Sequence, residues 1–125
     1  RTLEGLSTSV LLFDDELVLH HINPAAEMLL QESARRALGL DVEQLLPGNE
    51  LLFERMSGAL LRNHPISDRE MPIRLPAGSR TIVCCMITPV VVPGGSTELI
   101  VEMVPVDRHL RIAREEQLLT QNNAT

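Results

Sequence analysis

The sequence predicts an α+β domain: a five-stranded antiparallel sheet with short helices packed on one face, followed by a C-terminal connector helix. Three observations carry this. The stretch RTIVCCMITPVVVPGGSTELIVEMVPV (Arg80–Val106) is rich in Val, Ile and Thr and splits into two β-patterned runs around Pro93-Gly94-Gly95. A second apolar pair, SVLLF (Ser9–Phe13) and LVLHHI (Leu17–Ile22), flanks the polar turn Asp14-Asp15-Glu16 and reads as a hairpin. Between these pairs lies a succession of short helical segments, each with its own start and stop, which makes a crossover rather than a bundle.

In chain order, Thr2 is placed to cap a short helix over Leu3–Leu6, and the first hairpin follows. Asn23-Pro24 is the sharpest helix start: the Asn side chain accepts from a free first-turn amide, and proline is pre-set for the first helical position. In the helix that follows, Ala25, Met28 and Leu29 are expected on the inward side. Ser33 opens a second helix that Gly39 stops, and Asp41 opens a third, Asp41–Leu46, ending at Pro47-Gly48. Asn49 begins a longer helix in which Leu52, Met56, Ala59 and Leu60 follow the spacing of an apolar stripe. His64-Pro65 ends it. The next strand, Ile66–Leu75, alternates Met71, Ile73 and Leu75 against Glu70 and Arg74, and Pro72 marks it as an edge strand or a bulge. Asp107–Gln121 is a polar helix with a thin apolar row, the form of a connector to a coiled-coil element.

The length of 125 residues fits one domain with a modest core. The aromatic content is 2%, so that core must be aliphatic and Met-rich. A net charge of -6, with Phe13 and Phe53 as the aromatic rings, argues against a nucleic-acid surface. No stretch approaches the length of a membrane span. Cys84 and Cys85 are adjacent in a strand, face opposite sides and cannot form an ordinary disulfide with each other, which favours a reducing, cytoplasmic setting. The chain opens on Arg1 and closes on a polar tail, as a module cut from a longer polypeptide would.

In the last strand Leu99, Val101 and Met103 share one face, while Glu98 and Glu102 lie on the other among Ile100 and Val104. The preceding strand is less one-sided: Ile82, Cys84 and Met86 fill one phase, Val83, Cys85 and Ile87 the other. A strand apolar on both faces needs two covers, one from the domain's helices and one from elsewhere. A cavity between sheet and helices would be lined by Leu12, Leu29, Leu45, Met56, Leu60, Cys84, Met86 and Met103. Those flexible aliphatic side chains are expected to fill the core rather than enclose a cofactor.

Residues that carry chemistry are sparse. His20 and His21 are neighbours in a strand and point to opposite sides, and no partner stands at metal-ligand spacing from His64 or His109. None of the four histidines precedes an acidic residue, so no phosphoacceptor site of a histidine kinase is visible. Asp14, Asp15 and Glu16 read as a solvated turn, Gly94-Gly95 as a hairpin rather than a phosphate loop, and no serine has a nucleophile-elbow context. No catalytic residue, cofactor or metal is expected, and the chain is not expected to be an enzyme by itself.

The run SVLLFDDELVLHHINPAAEMLLQES followed by GLDVEQLLP resembles a PAS domain, in particular the N-terminal PAS domain of nitrogen-regulation sensor histidine kinases. The matching features are the strand ending at Ile22, Asn23-Pro24-Ala25-Ala26 opening a helix, Leu29-Leu30 within it, Ser33, Gly39-Leu40, the late strand IVCCMITPVV and the tail PVDRHLRIAREEQL. The resemblance implies a PAS domain with a short N-terminal helix over 1–106 and a signalling connector over 107–125. It also implies a cytoplasmic homodimer joined to the kinase core of the same parent chain. At the level of that parent, an ATP-dependent histidine kinase, the implied partners are a PII protein and the response regulator NtrC. Combined with the doubly apolar strand, it suggests a dimer face of Val10, Val18, Val83, Cys85 and Ile87, with Leu3 and Leu6 as part of the cover. A small-molecule sensor acting through the cavity and a heterotypic interaction module are the other readings left open.

Overall fold

A computed structural model describes residues 8–106, so the expected helix at Leu3–Leu6 and the connector over 107–125 lie outside the described residues. The strands are β1 (Ser9–Phe13), β2 (Leu19–Ile22), β3 (Ile66–Arg74), β4 (Arg80–Val91) and β5 (Thr97–Pro105). The helices are α1 (Pro24–Leu30), α2 (Ala34–Ala37), α3 (Val42–Leu45) and α4 (Glu50–Arg62). All five strands form one antiparallel sheet in the order β2-β1-β5-β4-β3. The expected α+β architecture, with the helices on one face, is what forms. Helix α4 lies across β3, β4 and β5, while α1 and α2 pack near β1 and β2. β1 and β5 are central neighbours, and Ser9 stands opposite Met103.

Each turn follows from its residues. In the β1–β2 turn Asp14 Oδ1 accepts from the Glu16 and Val18 amides at 2.8 and 3.0 Å, which holds Leu17 at a φ of 63°. The β3–β4 and β4–β5 hairpins share one construction, Leu75-Pro-Ala-Gly-Ser79 and Val92-Pro-Gly-Gly-Ser96. In each the first residue's amide donates to the serine carbonyl, at 2.8 and 2.9 Å, and its own carbonyl accepts from the glycine three residues on. Proline supplies the fixed φ, and Gly78 and Gly95 take the positive φ of 100° and 90° that other residues resist, with Gly94 at 103° beside Gly95.

Asn23 does more than cap α1. Its Oδ1 accepts from the Ala26 amide and from the Val10 amide, both at 2.9 Å, and its Nδ2 donates to the Thr8 carbonyl at 2.9 Å. One side chain thereby starts the helix and fastens the beginning of β1. Asp41 and Gln44 form a reciprocal capping box on α3. Asn49 occupies the position before α4 as its sequence suggests, but its side chain is used elsewhere. Its Nδ2 donates to the Leu46 and Arg74 carbonyls at 3.0 and 2.9 Å, and its Oδ1 accepts from the Arg74 amide at 2.7 Å. This buried amide therefore pairs with the outer edge of β3 as a further strand would.

The core is one cluster between the sheet and the helices. Leu11, Phe13, Val83, Cys85, Ile87, Leu99, Val101 and Met103 come from the sheet, and Ala26, Leu30, Leu45, Leu52, Met56 and Ala59 from the helices. The α4 stripe is as expected, with Leu60 at its partly buried margin. In α1 the inward side is Ala26 and Leu30 with Leu29 beside them, whereas Met28 is 77% exposed. Helix α1 packs on β1, and the side it turns there is that of Ala26 and Leu30.

Candidate functional site

The sheet face turned away from the helices is the most distinctive surface of the described residues. β5 contributes Ile100, Val104, Glu98 and Glu102 to it, and β1 contributes Val10 and Leu12. Register then sets β4: Glu102 stands opposite Met86, Ile100 opposite Thr88, and Val104 opposite Cys84. The outer face thus carries Ile82, Cys84, Met86 and Val90 beside Val10, Leu12, Ile100 and Val104. Met86 is 44% exposed and Cys84 is exposed.

This reverses the phase expected for β4. Val83, Cys85 and Ile87, placed on the candidate dimer face from sequence, are buried against the helices. Cys84 and Met86, placed in the candidate lining, face outward, as does Leu12. The cause is the hairpin: Val91 pairs with Thr97 across the Pro-Gly-Gly loop, so odd-numbered residues of β4 share a face with Leu99, Val101 and Met103. Of the remaining lining candidates, Leu45, Met56 and Met103 are wholly buried in the core, and Leu29 and Leu60 pack against it. Val10 is on the outer face as expected; Val18 bridges to Asp41 beside β2, and Leu3 and Leu6 lie outside the described residues.

The two thiols differ accordingly. Burial pushes the Cys85 thiol up to about 12, with the charge of Asp68 and the neighbouring Cys84 adding to it, so it stays protonated and inert. Both cysteines are free.

Open clefts sit around the rim. One of about 550 Å³ lies between Asp15–Leu17 of the first turn, Ser57, Leu60 and Leu61 of α4, and Gly95–Thr97 of the last hairpin. A second, of about 340 Å³, is bordered by Gly48–Leu51 and by Pro72, Ile73, Arg74 and Arg80. Among the described residues no group of three His, Cys, Asp or Glu side chains could hold a metal ion, and no helix is long and apolar enough to cross a membrane.

His20 has a local partner: its Nε2 lies 2.7 Å from Asp14 Oδ2. Partial burial raises the Asp14 carboxyl, but the Val18 amide, the His20 ring and the Glu16 amide outweigh it and hold the group below its ordinary value. A carboxylate held low contributes stability above the ordinary carboxylate range and loses it as pH falls through the depressed folded value. Urea unfolding of the wild type and of Asp14→Asn should therefore show a stability gap at neutral pH that closes on acidification through that range. A gap that stays constant with pH would contradict this role for the carboxylate.

An antiparallel sheet in the order β2-β1-β5-β4-β3, with short helices and one longer helix crossing a single face, defines the PAS class of domain, and this chain belongs to it. Over 114 residues, 91% of its length, it is 32% identical to the sensory histidine kinase/phosphatase NtrB of Escherichia coli O157:H7, and 31% identical to NtrB of Klebsiella oxytoca over the same extent. The crystal structure of the PAS domain of nitrogen regulation protein NR(II) from Vibrio parahaemolyticus superposes with a TM-score of 0.67 at 25% identity, covering 79% of this chain and 89% of that one. The chain is thus homologous to the PAS domain of NtrB. It spans 31% of the length of those curated kinases. No protein-family model matches the sequence.

Proposed function

We propose that this domain is the sensory and dimerisation module of a nitrogen-regulation histidine kinase in a two-component system, and that it works in the cytoplasm without catalysing a reaction itself. Two copies pair through the outer sheet face, and a change in that pairing biases the kinase core of the same parent chain. The parent would autophosphorylate from ATP and control the phosphorylation of the response regulator NtrC, under a PII protein. The observation that supports this reading is the outer face itself: Val10, Leu12, Ile82, Met86, Ile100 and Val104 form a largely apolar surface around Glu102 on the side away from the helices. Isologous pairing through one such surface gives a closed dimer, and a two-state dimer can signal only if its two arrangements differ in output.

Sedimentation velocity over a concentration series tests it. The wild-type chain is expected to dimerise, and Met86→Asp to raise the dimer dissociation constant about thirtyfold or more, as a desolvated unpaired charge does. Alkylation of Cys84 should slow as the dimer forms, while Cys85 stays unreactive at every concentration. A chain that remains monomeric at a concentration on the order of 1 mM, where association is worth only about 4 kcal/mol, or a dimer indifferent to Met86→Asp, would refute the pairing.

A further inference from the structure

Arg74 and Arg80 stand directly opposite each other at the end of the β3–β4 hairpin, and both border the cleft of about 340 Å³. Like charges in that relation destabilise a strand pair. The chain holds 17 Asp and Glu against 11 Lys and Arg, so carboxylates are in surplus, yet neither guanidinium forms an ion pair among the described residues. Their placement is held by the fold. The Arg74 backbone is gripped at both its amide and its carbonyl by Asn49, and its side chain runs past Gly48, where an added Cβ would come within 3.6 Å of Cδ and Nη1. Among the described residues Glu50 is the one carboxylate on the cleft wall, which leaves the pair in net positive excess.

We propose that this cleft binds a small dianion, a phosphate ester or a dicarboxylate, held between the Arg74 and Arg80 guanidiniums. Residues directly opposite on antiparallel strands have Cβ atoms about 5 Å apart, close enough for both side chains to converge on one ligand. Each guanidinium presents paired N–H donors that match carboxylate and phosphate oxygens. A cleft of this volume takes a small molecule rather than a polymer. Arg80 shares the outward phase of Met86, but the cleft lies at the end of the β3–β4 hairpin, where Asn49 meets the edge of β3.

Amide NMR titrations of the whole chain with inorganic phosphate and with succinate, at constant ionic strength, test it. Saturable shifts at Gly48 and Arg80 are expected for at least one of the two probes, and the tighter probe identifies the ligand chemistry. Arg74→Gln and Arg80→Gln should each raise the dissociation constant about tenfold or more, the loss of a charge-assisted hydrogen bond. The Asn49 contacts are to the Arg74 backbone, so Arg74→Gln leaves them in place. Arg62→Gln, at the far end of α4, should leave affinity unchanged. Shifts that never saturate with either probe, binding that survives both cleft variants, or equal weakening by Arg62→Gln would overturn the site.

Discussion

Ile87→Asp is expected to abolish folding, whereas Met86→Asp, one residue away, leaves a folded domain. Ile87 is 1% exposed and sits in the core cluster opposite Val101. An aspartate there loses the apolar transfer energy of the side chain and strands a charge without a partner, together more than about 4 kcal/mol, most of what holds a small domain together. Met86 faces outward between Glu102 and Ser67 and is 44% exposed, so the same substitution costs the monomer little. Circular dichroism and thermal melts of the two purified variants read the result directly. A folded Ile87→Asp beside an unfolded Met86→Asp would show that β4 presents its other side to the helices.

Asn49→Ala should lower stability by about 2–4 kcal/mol, far beyond the usual cost of losing a helix cap. The alanine removes three hydrogen bonds at once and leaves the Leu46 carbonyl and both polar groups of Arg74 without their partner. Asn49→Asp should be at least as damaging, because it keeps the acceptor for the Arg74 amide but sets a carboxylate against two carbonyl oxygens. Urea denaturation gives both values. A loss within about 0.5 kcal/mol of zero for the alanine variant would place Asn49 among ordinary surface positions.

These two residues mark the boundary of what local pattern reveals. The element order was legible, since each start and stop has its own chemistry: Asn23-Pro24, the acidic cap at Asp41, and the Pro-x-Gly loops. The phase of β5 was legible too, because Glu98 and Glu102 mark its wet side against Leu99, Val101 and Met103. β4 carries no such mark, being apolar on both sides. Its orientation is contained in the parity of the three-residue loop that joins it to β5, a signal lying outside the strand itself. The irregularity in β3 between Asp68 and Met71 is a comparable case: it lets Ile66 and Ile73, at opposite parities, both reach the core. The second use of Asn49 had no sequence signal at all, since its partner lies 25 residues further on. The arginine cleft was likewise invisible, because it exists only once the β3–β4 register is set.

The pairing of Ser9 with Met103 has a geometric result for any longer polypeptide that passes through this fold. Adjacent strands are about 5 Å apart, so the chain enters and leaves through one doorway.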